Sequence, residues 1–390
     1  MGQPLNHAHD TTHDSAPDTT ADAGPLRVGI VGCGHISTQY LATLARLPEL
    51  AVTAAADLDP ARAQAVAAAH PGVRALGIAD LLAADDVDVV LNLTVPAAHA
   101  EVALAAIAAG RDVYGEKPLA ATTAEAARVV AAAEAAGVRL GCAPDTVLGS
   151  GLQTARRVLD DGLLGAPVAA TATMLTPGHE RWHPDPDFYY APGGGPLLDM
   201  GPYYVSALVS LLGPVVSAVG AASHTRTSRT IGRGPRAGER VPVTTDTHVT
   251  GVLTHASGAL STLVMSFDAV ATRGSSIEVH GERGSLVVPD PNHFDGDVLL
   301  HPLGGDGWQL VPVSAGYRAG GRGIGLLDLA ERTRREPRAS GRVGLHVLDV
   351  LESLLDSAAR GRRVDVAGTC ERPDPVPLRE LHAAAPASAA

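Results

Sequence analysis

From Pro25 onward, short runs of branched apolar residues alternate with longer Ala-rich stretches whose apolar positions recur every three or four residues. LRVGIVG, LAVTAAAD, VDVVLNLT, RDVYGE and VRLGCA read as strands. ISTQYLATLARL, PARAQAVAAAH, AHAEVALAAIAAG and TTAEAARVVAAAEAAG read as helices, the last two closed by Gly110 and Gly137. Such alternation predicts a parallel sheet wound with crossover helices. After Thr146 the pattern changes. A helix over VLGSGLQTARRVLDDG leads into the strands PVAATATML, VVSAVGAAS, THVTGVLTH, ALSTLVMSF, SSIEVHG and GSLVVPD, joined by Gly- and Pro-rich connections. Runs of strands without intervening helices predict an α+β unit on a largely antiparallel sheet, with one face left open. RGIGLLDLAERTRRE and GRVGLHVLDVLESLLDSAARG carry helical periodicity with apolar faces suited to pack on a sheet, His346 among them as a structural residue.

The expected class is therefore α/β followed by α+β: a flexible tail over residues 1–24, a first domain over 25–146, a second over 147–382 and a closing tail over 383–390. A chain of 390 residues exceeds what one core usually serves, which agrees with two domains. Residues 1–24 have almost no large apolar side chain to offset the entropy of ordering, and the spacing of His7, His9 and His13 fits no metal site. The net charge of −12 opposes binding to nucleic acid. Three scattered cysteines form neither a disulfide framework nor a thiolate zinc site. With no long apolar run and no basic–apolar leader, the expectation is a cytoplasmic protein that does not engage a membrane.

Chemistry enters at the first strand–helix junction, Gly32-Cys33-Gly34-His35-Ile36-Ser37. Gly32 and Gly34 match the first two glycines of G-x-G-x-x-G, and Ser37 takes the third place. The first glycine allows the tight turn, the second lets a pyrophosphate approach the backbone, and the amides at the helix start, with His35 and Ile36, attract its charge. Asp57, at the end of the next strand, would accept hydrogen bonds from a ribose and repel a 2′-phosphate, which favours NAD over NADP, although Arg62 stands nearby. The bland alternative is a glycine turn without a ligand.

A later strand ends in Glu116-Lys117-Pro118, after Thr94-Val95-Pro96 and a helix carrying His99. Further on stands Gly193-Gly194-Gly195-Pro196-Leu197-Leu198-Asp199-Met200-Gly201-Pro202-Tyr203. The glycine loop, the Thr-x-Pro-x-x-His segment, Glu-Lys-Pro and the Gly-Gly-Gly-x-Leu-x-Asp-x-Gly stretch together resemble the Gfo/Idh/MocA oxidoreductases over roughly residues 26–366. The resemblance implies a Rossmann domain, an open-sheet second domain, and NAD(P)-linked oxidation or reduction of sugars, inositols or related polyols. It places Thr94, Pro96, His99, Glu116 and Lys117 near the cofactor. One departure is Tyr203, where most of the family has histidine. A substrate hydroxyl must lose a proton as its carbon gives up hydride, so a base is needed. Tyrosine is a weak one unless a cation such as Lys117 lowers its pKa. Tyr203 is therefore expected as acid/base, Lys117 as its activator, and Asp199 as the group orienting Lys117 and the hydroxyl. Lys117 or Asp199 as the base is the alternative. On local sequence alone, Asp199 could simply cap a helix starting near Pro202, and Tyr203 could be a packed aromatic.

Of twelve aromatic residues, six (Trp182, Phe188, Tyr189, Tyr190, Tyr203 and Tyr204) fall within residues 182–204. Flat aromatic faces suit a pyranose or cyclitol, and His179, Glu180, Arg181, His183, Asp185 and Asp187 add polar groups. Trp182 and His183 are the expected substrate contacts, beside Lys117, Asp199 and Tyr203; a loop pinned by its own aromatics is the structural alternative. The Arg-rich 226–242 segment reads as a solvated loop, with an acidic substrate or a neighbouring subunit as its other possible partners. No histidine spacing matches a catalytic metal site. The overall expectation is an NAD-dependent carbohydrate or polyol dehydrogenase, assembled as a dimer or tetramer through the open sheet face. Its rivals are a glycosidase using tightly held NAD transiently and a non-catalytic sugar or nucleotide sensor.

Overall fold

The computed structural model describes residues 24–331, 334 and 336–381. The two tails read from the sequence, including His7, His9 and His13, lie outside the described residues apart from Gly24. The first sheet comprises β1 (Leu26–Val31), β2 (Leu50–Ala56), β3 (Arg74–Ala75), β4 (Val89–Asn92), β5 (Asp112–Gly115) and β6 (Leu140–Cys142). Its helices are α1 (Ser37–Leu44), α2 (Pro60–Ala69), α3 (Ile78–Ala83), α4 (Pro96–Ala108) and α5 (Thr123–Ala136). All its pairings are parallel and the strand order is β3-β2-β1-β4-β5-β6. Parallel strands bury both faces, so β1 and β4 read as near-continuous apolar runs, and β4 is buried at every position. The strand order reverses between β1 and β4, and the crevice beyond the carboxyl ends there is where open sheets of this kind hold ligands. The glycine loop, Thr94 and Glu116 follow β1, β4 and β5 at that edge.

The second unit begins with α6 (Ser150–Asp160) and β7 (Pro167–Leu175), followed by α7 (Gly195–Leu212) and β8 (Val215–Ser223). A short hairpin, β9 (Ser228–Thr230) and β10 (Arg240–Pro242), leads to β11 (His248–His255) and β12 (Leu260–Ser266). The run continues through β13 (Ile277–Gly281), β14 (Gly284–Val288), β15 (Val298–Pro302), β16 (Gln309–Val311) and β17 (Tyr317–Arg318). The described chain closes with α8 (Ile324–Ala330), α9 (Gly341–Arg360), β18 (Val364–Asp365) and β19 (Arg379–Glu380). Among the described residues the large sheet has the order β16-β15-β14-β13-β7-β12-β11-β8-β18, antiparallel except for β7 with β12. Helix α7 covers β7, β11 and β12, and α9 covers β8. The other face leaves Val219, Val252 and Leu260 exposed. Helix α9 also packs against α5 and β6, and α8 against β2 and β6, so the end of the chain ties the second unit back onto the first. His346, on α9, is buried, accepts from the Val215 amide and stands against the Gly368 carbonyl, a structural place. Among the described residues no helix is long and apolar enough to cross a membrane.

Two sequence expectations need correction. The 226–242 segment is exposed over most of its length, as expected, but it is more than a solvated loop: its ends pair as the β9–β10 hairpin and Arg229 is almost fully buried. Asp199 does not cap a helix beginning near Pro202: α7 starts at Gly195, Asp199 lies in its second turn, and Pro202 is interior. The flanking Gly-Pro residues at the true start, Gly195-Pro196, suit a first turn.

Candidate active site

The glycine loop has the shape its residues predict. Gly32 has φ +99°, and a Cβ there would lie 2.6 Å from the Leu93 backbone, so only glycine lets β1 turn this close to the end of β4. A Cβ on Gly34 would meet nothing within 4 Å: this residue opens onto free space. Among the described residues the amides of Gly34, His35 and Ile36 have no internal acceptor. The Ser37 hydroxyl donates to the Gly34 carbonyl at 2.7 Å and is buried against the loop. Asp57 accepts from the Cys33 amide at 2.7 Å and from the Asp59 amide, which binds the end of β2 to the loop. A backbone cradle with unused amides, beside a carboxylate at the neighbouring strand end, fits a dinucleotide: the amides would hold the pyrophosphate and Asp57 the ribose.

Thr94 donates its hydroxyl to Asn92 at 2.6 Å, and Pro96 opens α4 at its first position. His99 bridges the loops at the crevice edge. Its ring is buried, with Nδ1 2.6 Å from the Pro118 carbonyl and Nε2 3.0 Å from the Thr94 carbonyl. Neither nitrogen is left for a cofactor, and the ring instead holds together the two loops that follow β4 and β5. Glu116 is likewise engaged, accepting from Tyr40 at 2.8 Å and from the Lys117 amide at 3.0 Å.

Lys117 leaves the end of β5 and reaches α7. Its Nζ donates to the Asp199 carbonyl at 2.6 Å and to Asp199 Oδ1 at 3.0 Å. The other carboxylate oxygen lies 3.2 Å from His179 Nε2, and Trp182 Nε1 donates to His179 Nδ1 at 3.3 Å. Because Nδ1 accepts, the proton sits on Nε2 and is donated to Asp199. Burial works against the Asp199 carboxylate, but Lys117 and His179 outweigh it and hold the carboxyl down at about 2. Burial also works against the Lys117 cation, and Asp199, Tyr203 and Glu116 outweigh it, so the ammonium is held charged more firmly than usual.

Tyr203 sits one turn beyond Asp199, with the Lys117 ammonium 5.3 Å from its ring centre and the Arg322 guanidinium 5.0 Å from it. The sequence expectation was a phenol pKa lowered by Lys117. Lys117 and Arg322 do lower it, but burial is the larger effect and the net direction is upward. The resting group is a phenol.

His179 and Arg322 are the participants that sequence reasoning did not single out. His179, not His183, is the histidine of this loop that contacts Asp199; His183 was expected as a substrate contact. His183 is half-buried, packs edge-on against Phe188 and Tyr189, and accepts from the Asp185 amide at 3.1 Å. Trp182 is half exposed beside both histidines. This loop is anchored from below by the hairpin. Arg229 pairs with Glu180 and Asp268, Tyr190 donates to Glu180, and Arg236 pairs with Asp187 at 2.6 Å. The Arg-rich segment thus sets the position of the aromatic loop.

Residues 26–143 match the oxidoreductase family with an NAD-binding Rossmann fold, and residues 152–287 match the GFO/IDH/MocA C-terminal domain. The chain belongs to the GFO/IDH/MocA family of oxidoreductases. It is 38% identical to an inositol 2-dehydrogenase of Ralstonia nicotianae over 153 residues, which cover 37% of this chain and 44% of that one, under half its length. It is 29% identical to a 1,5-anhydro-D-fructose reductase of Ensifer adhaerens over 349 residues, 87% of this chain and 98% of that protein. Among solved structures, levoglucosan dehydrogenase in complex with NADH superposes with a TM-score of 0.75 at 21% identity, over 88% of this chain and all of that one, a likeness of fold.

Proposed function

We propose that this protein is an NAD-dependent oxidoreductase acting on a carbinol of a carbohydrate or polyol, and that it works as a homo-oligomer assembled through the open sheet face. The observation that carries the reading is the Lys117–Asp199–His179 chain of hydrogen bonds beside the Tyr203 ring at the edge of the dinucleotide crevice. Relatives named for inositol and anhydrofructose chemistry support the substrate class. NAD, when bound, supplies the two-electron acceptor or donor. Asp57 favours NAD over NADP, and Arg62, the cation nearest it along the chain, pairs with Asp59 at 3.7 Å. Tyr203 exchanges the proton of the reacting hydroxyl. As a resting phenol it is set to donate during carbonyl reduction, and the adjacent cations stabilise the phenolate needed for the reverse direction. Asp199, held ionised, orients Lys117 and accepts from substrate hydroxyls, while Trp182 and His183 offer a flat wall for the ring.

The test is the rate of NADH formation, with NAD and separately with NADP, across free sugars, glycosides, inositols and sugar acids. Turnover on one class is expected, and Lys117→Ala or Tyr203→Phe should lower it about 100-fold or more while NAD still binds. Near-wild-type rates in both variants would remove the assigned roles. NAD binding without turnover on any member of the panel would favour a sensor or a transient-redox glycosidase.

A further inference from the structure

Arg322 has no part in the site as read from sequence, yet its surroundings are built with care. It lies in the Gly-rich turn before α8, far along the chain from every other residue of the site. Asp145, fully buried just after β6, accepts from the amides of Gly323 and Gly325 at 2.7 and 3.2 Å and so fixes the turn from which Arg322 projects. Gly323 takes φ +109°, a conformation that favours glycine. From this turn the guanidinium extends over the Tyr203 ring, donates to Asn292 Oδ1 at 2.8 Å and stands 5.9 Å from the Phe294 ring centre. Its Nη1 is buried with no internal partner. No carboxylate pairs directly with this arginine among the described residues, so its charge is not spent on a structural ion pair.

We propose that Arg322 is a positioning residue for Tyr203: a second cation that, together with Lys117, sets the proton affinity of the phenol. The inference rests on the reading of Tyr203 as the acid–base group. A nearby cation lowers the pKa of an ionisable group by about one unit or more when water is largely excluded, and Lys117 and Arg322 stand 5.3 and 5.0 Å from the centre of the Tyr203 ring. They act against burial and against the carboxylates of Glu116 and Asp199 that also face the ring, with the Tyr189 phenol as a further neighbour. Lys117 is already tied to Asp199 by two hydrogen bonds, so much of its field is compensated locally. Arg322 forms no direct ion pair among the described residues, and Asp145 and Glu116 act on it only through space.

The experiment uses the full chain labelled with a fluorotyrosine, whose phenol ionises at lower pH than tyrosine, and follows each ring by fluorine NMR as pH is raised. The Tyr203 resonance is identified by its loss in Tyr203→Phe. In Arg322→Gln and Arg322→Met its titration midpoint is expected to rise by about one unit or more, and Arg322→Lys should recover most of the difference. An unchanged midpoint in the glutamine and methionine variants would overturn the proposal. Should neither fold, Asn292→Ala, which frees the guanidinium from its anchor, should move the midpoint upward, and no movement there would overturn it. This readout needs no substrate, so it stands or falls apart from the oxidoreductase reading. With an active substrate in hand, the pH profile of turnover in Arg322→Gln should shift by the same amount as the resonance.

Discussion

Replacing Lys117 with methionine keeps the length of the side chain but removes its charge and both hydrogen bonds to Asp199. Lys117 follows β5 of the first sheet and Asp199 lies on α7, so the substitution cuts a tie between the two units. The Asp199 carboxyl is held from an ordinary value of 3.8 down to about 2, burial being outweighed by Lys117 and then His179. That depression corresponds to about 2 kcal/mol of folding stability at neutral pH. The sign follows from linkage: a depressed carboxyl contributes fully above its unfolded pKa, and the contribution is lost as pH falls through about 2. Removing one partner of a fully buried pair costs about 3–5 kcal/mol. Here the side chains retain 16% and 21% of their exposure, so part of that cost is screened and roughly 2–3 kcal/mol is expected. Urea unfolding of Lys117→Met at pH 7 should lose that much, and the slope of stability against pH between about 4 and 2 should flatten. Asp199→Asn removes the carboxylate instead, and the double variant closes a cycle whose coupling should be about 1–3 kcal/mol. Additive single effects within about 0.5 kcal/mol, or an acid profile of Lys117→Met that overlays wild type, would sink the reasoning.

Two further outcomes are expected once a substrate is known. His179→Ala, which removes the 3.2 Å contact to Asp199, should lower kcat by roughly tenfold to a hundredfold, the value of a hydrogen bond to a charged group; His183→Ala should stay within about threefold, and a reversed order would restore His183 as the principal histidine. Asp57→Ala should reduce the ratio of kcat/KM for NAD over NADP by about tenfold or more, and an unchanged ratio would mean that Asp57 serves only to bind the Cys33 amide.

The strand–helix alternation and the glycine loop were legible because both depend on local properties: periodicity for the elements, and a missing Cβ for the turn at Gly32. Elements too short for a period to show escaped notice, as with the two-residue β3 and the six-residue α3. The site divides along the same line. Lys117 and Asp199 are 82 residues apart, and no spacing rule joins them; they were linked only through a family resemblance. His179 and His183 both flank Trp182, and which of them faces Asp199 is decided by a turn that Arg229 and Tyr190 pin through Glu180. Neither contact has a local signature. Arg322 is harder still, since its place depends on Asp145 holding a turn 178 residues away.

Tyr203 shows why even a correct pair of residues does not fix the chemistry. The sign of the Lys117 effect on the phenol follows from charge alone, and it is the sign found. The net direction is opposite, because α7 carries Tyr203 into the core between the two units, and removing the phenolate from water costs more than the cations return. Sequence supplies the charges. Their balance against burial is a property of the assembled fold, and it makes the resting group a proton donor whose conversion to a base depends on how closely the cations approach.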